Sequence, residues 1–214
     1  MTRLFMGGLR PLPPENRPTG IFKCEIVMPV WLGREGLVGD AQADRRAHGG
    51  PEKALHQYPV AHYTRLAAAF PQLQPDLLPG TLGENLSVPG WDETNVCIGD
   101  TFRLGDARIQ LAQPRSPCWK IDSRFATDGM ARLIEAEGIM GWYFRVLEEG
   151  AVEPDCPFEL IERPNPEITL AHFLGQWRAH RPAPAHLREL AAIPGLAAGW
   201  ADKLRQRADR LENF

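Results

Sequence analysis

A β-hairpin pattern across residues 96–113 constrains the fold more than any other stretch of this sequence. Apolar and polar residues alternate before and after Gly105-Asp106. A period of two is typical of half-buried β-strands, and Gly-Asp between two such runs predicts a tight turn. Period-two or aromatic-rich runs recur at residues 22–28, 54–59, 141–147 and 158–161. With 20 glycines and 20 prolines, the sequence predicts a turn-rich, mainly β fold.

The loop at residues 114–120 follows this hairpin and presents Cys118 on a stiff connection, because two prolines restrict its backbone. Arg115 and Lys120 place positive charge near the sulfur, which favours the thiolate form. A thiolate acts as a nucleophile or as a ligand to a soft metal. The alternative is a small buried hydrophobe, the usual role of a free cysteine. The two cations and two prolines favour a functional role.

A second candidate loop, at residues 39–51, concentrates charge, a histidine and flexible backbone. Gly49 allows a close approach of backbone N–H groups, and Arg46 and His48 add side-chain donors. One interpretation is therefore an anion- or cofactor-binding loop. The alternative is a solvated turn, which composition alone slightly favours because Gly-Gly-Pro is common in turns.

Three further polar residues have two interpretations each. His56 lies in a predicted strand, where a histidine is more often a satisfied core residue than a ligand. Asn85 lies between apolar residues and either faces a pocket or caps its own turn. Arg145 lies in an aromatic-rich strand and is either an outward-facing charge or a buried donor to the same pocket.

The hydrophobic period changes after residue 163. Residues 163–167 are predicted to form a linker, and apolar residues then recur at helical spacing, with Thr169 as N-cap. Two more short helices extend to residue 211. We therefore predict two domains, a β domain of residues 1–163 and an all-α domain of three helices in residues 164–214. The β domain also contains peripheral helices at residues 59–70 and 127–137, the second with Thr127 as N-cap.

Composition and charge exclude several classes of protein. The four cysteines show no paired spacing, which argues against a zinc ribbon, a CxxC redox pair and a disulfide framework, and suits a reducing cytoplasm. The net charge of -3, with acids and bases interspersed, argues against a nucleic-acid polymer as partner. Because there is neither an export signal nor a long apolar run, we expect a cytoplasmic protein that does not span a membrane.

Five short motifs occur in a fixed order that resembles the MOSC domain, named for the C-terminal domain of molybdenum cofactor sulfurases. They are GLVGD at residues 36–40, HGGP at 48–51, GENL at 83–86, IGD at 98–100 and PRSPC at 114–118. The resemblance is greatest to the YiiM-like subgroup, which carries a C-terminal domain of three α-helices. It implies a β-barrel-like fold and a molybdenum cofactor of the molybdopterin type.

The resemblance also implies roles for individual residues. Cys118 would be the protein ligand to molybdenum, at the mouth of the barrel. His48 or His56 would donate a proton. The residues expected to contact the cofactor or the substrate are Arg46, His48, Gly49, Asn85, Arg115 and Lys120.

The activity that this resemblance implies is reduction of N-hydroxylated compounds, such as 6-hydroxylaminopurine to adenine. The sequence has no flavin or iron–sulfur signature, so an external reductase, a flavoprotein or a ferredoxin-type protein, would supply electrons. The chain is too short for the pyridoxal-phosphate desulfurase domain of the larger relatives. The C-terminal helices, which present tryptophans and leucines, are expected to mediate homodimerisation or docking of the donor.

Two other functions compete with this one. The protein could be a non-catalytic carrier that holds sulfur or molybdenum cofactor on Cys118. A Cys/His hydrolase is a weaker alternative, because the sequence identifies no third residue to orient the pair.

Overall fold

The computed structural model describes residues 1–44 and 48–213, and most of its strands belong to one curled, mixed sheet. The strands are β1 (Arg3–Met6), β2 (Arg10–Leu12), β3 (Arg17–Thr19), β4 (Cys24–Glu25), β5 (Val30–Gly33), β6 (Gly36–Leu37), β7 (Leu55–Gln57), β8 (Leu86–Ser87), β9 (Thr101–Leu104), β10 (Ala107–Pro114), β11 (Trp142–Glu148), β12 (Gly150–Val152) and β13 (Phe158–Glu162).

The α-helices of the described residues lie at the periphery and in the C-terminal segment. They are α1 (Val60–Ala69), α2 (Lys120–Arg124), α3 (Met130–Glu137), α4 (Leu170–Arg178), α5 (Pro184–Ala191) and α6 (Ala198–Glu212). Short 3-10 helices occupy Pro51–Lys53 and Pro71–Asp76.

The main sheet has eight strands in the order β13-β9-β10-β11-β7-β8-β1-β4 and curls into a half-barrel. Its neighbouring strands pair antiparallel, except that β7 and β8 are parallel. A smaller sheet has the order β12-β5-β6, and β2 pairs with β3 as a separate hairpin. The barrel-like sheet with peripheral helices that was expected for residues 1–163 is therefore confirmed.

The predicted hairpin is formed by β9 and β10, and its apolar positions face the core. Phe102, Ile109 and Leu111 are fully buried. Phe102 stacks on Phe158 of β13 with ring centroids 4.5 Å apart. Burial of each large apolar side chain contributes about 1.5–3 kcal/mol, so this hairpin anchors one half of the sheet.

The strand expected at residues 22–28 is much shorter than its alternating pattern predicted. Only β4 pairs, with β1, and Cys24 and Met28 on the expected apolar face are exposed. Because β4 is the last strand of the eight-stranded sheet, it has a partner on one side only. Alternation here therefore does not indicate burial, and that prediction is wrong for most of the stretch.

The three C-terminal helices are present, and backbone hydrogen bonds join this segment to the rest of the chain. The N–H of Leu170 donates to Val96 O at 2.7 Å, and the N–H of Ala197 donates to Ala112 O at 2.8 Å. Thr169 Oγ1 accepts the N–H of His172, so the predicted N-cap of α4 is confirmed. The division into separate domains at residues 163 and 164 stays a prediction.

Within residues 1–44 and 48–213, no helix combines the length and the apolar character needed to cross a membrane.

Candidate functional site

Cys118 lies in the loop that joins the end of β10 to α2, as the sequence predicted. The N–H of Arg115 donates to Gly141 O at 3.0 Å, which ties the start of this loop to the residue before β11. At the other end, the carbonyl of Cys118 accepts the N–H of Ile121 at 2.9 Å. The half-buried Cys118 is thus held between two fixed elements of the fold.

The Cys118 loop forms one wall of a cavity, which we call the cationic cavity. Its charged and polar lining residues are Lys23, Asp40, Gln42, His48, Lys53, His56, Asn85, Arg115, Cys118, Lys120 and Tyr143. Six candidates named from the sequence are therefore brought together here. Gly49 is not among the described residues that line this cavity, and Arg46 lies outside the described residues.

Arg115 is the most deeply buried cation of this cavity, with 4% of its surface exposed. Its Nη2 donates to the carbonyl of Leu82 at 3.3 Å, but its Nη1 has no partner among the described residues. A buried guanidinium nitrogen without a partner is costly, and a bound anion would satisfy it with a charge-assisted hydrogen bond. The geometry of Arg115 therefore favours an anionic ligand.

Glu84 shapes the loop that presents the Leu82 carbonyl to Arg115. Its fully buried carboxylate accepts the N–H groups of Gly80 at 2.5 Å and Leu82 at 3.1 Å. It also accepts the hydroxyl of Tyr63 at 2.5 Å. Burial raises the pKa of Glu84, and these hydrogen bonds oppose the rise. Glu84 therefore has a structural role next to the cavity.

The next residue, Asn85, belongs to a buried polar network at the cavity wall. Lys23 Nζ contacts both carboxylate oxygens of Asp40, at 2.5 and 2.7 Å, and both side chains are almost fully buried. Asn85 Nδ2 donates to Asp40 Oδ2 at 2.9 Å, and the N–H of Gly7 donates to Oδ1 at 2.9 Å. The network satisfies the buried charges and confirms that Asn85 faces a pocket.

The two histidines are electrostatically coupled to the cations of the cavity. Burial, together with the positive charges of Arg115, Lys120 and Lys53, lowers the pKa of His48 to about 4. Burial, with Arg115 again contributing, holds the pKa of His56 well below its usual value. His56 Nε2 is buried and has no hydrogen-bond partner among the described residues. Both imidazoles are therefore neutral at pH 7.

Five charged or polar lining residues were not candidates from the sequence: Lys23, Asp40, Gln42, Lys53 and Tyr143. Tyr143 pairs directly across the sheet with His56, and their rings lie 5.3 Å apart. Asp40 ends the first of the five motifs, which was the available signal for it. Lys23 and Tyr143 lie in stretches that look like ordinary strands, so only the tertiary fold reveals their position.

A second cavity is also lined by Cys118, and we call it the aromatic cavity. It shares His48, Lys53, Cys118 and Tyr143 with the cationic cavity. Trp119 of the loop and Trp200 of α6 contribute its aromatic surface. Cys118 therefore lies between two cavities of different chemical character.

Cys118 is the sulfur ligand that the described residues offer in this region, and they do not form a complete metal site around it. Among residues 1–44 and 48–213, no group of three or more His, Cys, Asp or Glu could hold a metal ion. A metal at Cys118 would thus need most of its ligands from a cofactor. Arg145 bonds to Gln110 Oε1 at 2.8 Å and to Glu52, and it is not among the described residues that line either cavity.

Comparisons with known proteins agree with this arrangement. The family model described as the MOSC domain matches residues 44–159. "Protein YiiM" of Escherichia coli (strain K12) is 36% identical over 204 residues, which cover 94% of this chain and 90% of that protein. A protein named "Reductase" from Gibberella moniliformis is 35% identical over 178 residues, 82% of this chain but 31% of that protein.

The similarity extends to the three-dimensional structure. The crystal structure of YiiM from Escherichia coli superposes with a TM-score of 0.82 at 30% identity, covering 98% of this chain and 92% of that one. Sequence and structure are thus similar over almost the whole chain. The chain belongs to the MOSC domain family and is a YiiM-like member of it.

Proposed function

We propose that the cationic cavity binds a molybdenum cofactor of the molybdopterin type, with Cys118 as the protein ligand to molybdenum. The observation that carries the proposal is the position of Cys118, a half-buried thiol on the wall of a cavity lined by Arg115, Lys120, Lys53 and His48. Membership of the MOSC family supports a function associated with this cofactor. A thiolate is a soft anionic donor and suits such a metal.

The residues of the cavity fit an anionic, hydrogen-bonding cofactor. Arg115 has an unpartnered Nη1 that would bind its phosphate, and Lys120 adds a second positive charge. Asn85 is held by Asp40 and would contact the pterin, whose ring offers donors and acceptors. The unpartnered Nε2 of His56 adds another hydrogen-bonding group. For Arg46 and Gly49 we keep the same role as a prediction from the loop motif.

We infer that the reaction is reduction of N-hydroxylated compounds, such as 6-hydroxylaminopurine to adenine. The bound cofactor supplies two-electron redox chemistry at molybdenum. Overall, R–NH–OH takes up two electrons and two protons, its N–O bond breaks, and the products are R–NH₂ and water. An external flavoprotein or ferredoxin-type reductase supplies the electrons.

His48 is the better placed of the two histidines to handle protons, because it lines both cavities whereas His56 lines only the cationic one. A neutral imidazole can donate its N–H to the leaving oxygen, or relay a proton from solvent. The positive charges of Arg115, Lys120 and Lys53 lower the pKa of His48. An anionic cofactor would offset these charges and raise that pKa towards neutrality.

Substitution of Cys118 tests the proposal directly. Protein from cells that make the cofactor is analysed for molybdenum and pterin, and reduction of 6-hydroxylaminopurine is measured with an artificial electron donor. We expect Cys118→Ser to lower the rate by more than about a hundredfold, since loss of even an outer-shell partner costs about ten- to a hundredfold. Cys24→Ser, at an exposed cysteine on β4, is the matched control and keeps wild-type activity.

Two results would contradict parts of the proposal. Unchanged activity in Cys118→Ser would remove the ligand role of that residue. Mass spectrometry of the natively purified protein that shows a persulfide on Cys118, without molybdenum or pterin, would favour the non-catalytic sulfur carrier instead. The half-buried position of Cys118 permits either occupant, so this measurement separates the two functions.

A further inference from the structure

We propose that the aromatic cavity is a subsite for the planar heteroaromatic ring of the substrate, which stacks on the indole of Trp119. The inference rests on the proposed function, because it names the substrate class for the same reaction. It is carried by the position of this cavity, which shares Cys118 with the cationic cavity and adds Trp119 and Trp200 to its lining.

The two cavities meet at residues that a reaction would use. Cys118 and His48 line both, so a ligand in the aromatic cavity lies against the same sulfur and imidazole as a cofactor in the cationic cavity. Arg115 and Lys23 line only the cationic cavity. Lys53 lines both cavities and Lys203 lines the aromatic one, so net charge alone does not separate them. The buried, unpartnered Nη1 of Arg115 favours a phosphate in the cationic cavity, and the indoles of Trp119 and Trp200 favour an aromatic ring in the aromatic cavity.

The surface of the aromatic cavity is suited to a flat ring. Trp119, adjacent to Cys118, keeps 48% of its surface exposed, and the guanidinium carbon of Arg17 lies 5.7 Å from its ring centroid, so a stacked base would use the face that Arg17 leaves open. Stacking on an indole binds every nucleobase, because each base has a π face. The sequence places Trp119 one residue after the proposed metal ligand, which brings a stacked ring close to the reacting centre.

A second indole of the lining comes from α6. Trp200 is buried, and its ring packs against those of Phe173 at 5.7 Å and Trp177 at 5.1 Å. Lys203 Nζ lies 5.0 Å from the centroid of Trp200. This ammonium lines the cavity and would donate to a ring nitrogen or to the hydroxylamine oxygen. The C-terminal segment thus contributes to substrate recognition.

Equilibrium binding of adenine, the expected product, tests the subsite without requiring turnover. The full-length protein is used with and without bound cofactor, and the wild type and three variants are compared by calorimetry. We expect Trp119→Ala to weaken adenine binding by about tenfold, in line with the loss of one stacking contact. Trp119→Phe restores most of the affinity. Trp31→Ala is the matched control, because Trp31 has a similar exposed fraction of 50% and lines neither cavity.

Steady-state kinetics of the loaded enzyme provide a second measurement. Trp119→Ala is expected to raise the KM for 6-hydroxylaminopurine about tenfold and to leave the KM for an aliphatic N-alkylhydroxylamine unchanged. Equal adenine affinity in Trp119→Ala and the wild type, or no saturable adenine binding at millimolar concentration, would overturn the subsite. Adenine binding that depends on Trp119, in a protein that reduces no N-hydroxylated compound, would refute the proposed function and retain the subsite.

Discussion

His48 lies where the cationic and aromatic cavities meet, and its ionisation reports the charge around it. Burial, Arg115, Lys120 and Lys53 lower its pKa to about 4, and Asp44 opposes them. In the unfolded chain the pKa of a histidine is about 6.5. Between pH 6.5 and pH 4 the unfolded chain therefore binds a proton that the folded chain does not. The contribution of neutral His48 to the free energy of unfolding is fully present above pH 6.5 and decreases as the pH falls towards 4.

This linkage predicts that His48→Gln changes the pH dependence of stability. When the pH is lowered from 7 to 5, the free energy of unfolding should fall by about 1 kcal/mol less in the variant than in the wild type, after allowance for solvent screening. Urea unfolding of the cofactor-free protein at both pH values measures the difference. The exposed His186 on α5 is the matched control position. If the free energy of unfolding fell equally in His48→Gln and the wild type, folding would not lower the pKa of His48.

Some residues of the site can be recognised from their neighbours in the sequence. Others can be recognised only once the fold brings distant segments together. Cys118 was identifiable because two prolines and two cations surround it within a few positions. Lys23 has an ordinary strand context, and its role depends on a buried contact with Asp40 seventeen positions away. Tyr143 reaches the cavity because β11 pairs with β7 opposite His56. Such non-local pairing does not alter the alternation of apolar and polar residues within either strand, so the sequence does not reveal it.

At the scale of elements, the two predicted N-caps had different outcomes. Thr169 Oγ1 accepts the N–H of His172 and caps α4, as expected. Thr127 does not begin α3, which starts at Met130 after Gly129 in a left-handed conformation. Asp122, in α2, accepts N–H groups at the start of α3 instead. A cap supplied from another element cannot be found by inspection of the residues next to the helix.

Paired alanine substitutions test this difference. Thr169→Ala should lower the free energy of unfolding by about 1 kcal/mol, because a backbone N–H of α4 loses its partner. Thr127→Ala, the matched control, should change it by less than about 0.5 kcal/mol. Chemical denaturation of both variants measures these values. A loss in Thr127→Ala as large as that in Thr169→Ala would contradict the assignment of the cap.

The elements that were predicted well are those with a strong local period. The hairpin of β9 and β10 and the helix α4 follow their apolar spacing, because each has one buried face along its whole length. The stretch around β4 follows the same rule less closely, since it pairs only with β1 at the end of the sheet. Hydrophobic periodicity thus predicts a helix or strand correctly when the core covers one of its faces along the whole length.

At the scale of the whole molecule, the C-terminal helices share their core with the sheet. Leu170 and Phe173 of α4 are fully buried in the same apolar cluster as Phe102 of β9 and Phe144 of β11. Backbone hydrogen bonds from Leu170 and Ala171 reach Val96 and Glu93, at 2.7 and 2.6 Å. These contacts couple the stability of residues 164–213 to that of the half-barrel.

We therefore predict that the full chain unfolds in one cooperative transition. Circular dichroism, dominated by the helices, and fluorescence, which reports Trp142 in the sheet and Trp200 in α6, should give the same urea midpoint. A chain ending at residue 163 should melt at least about 10 °C lower, because it exposes the apolar surface that α4 covers. Two separate transitions, or a shortened chain as stable as the complete one, would establish residues 164–214 as an independent domain. Coincident midpoints would mean that the helix bearing Trp200 is held in place by the same core that positions Cys118.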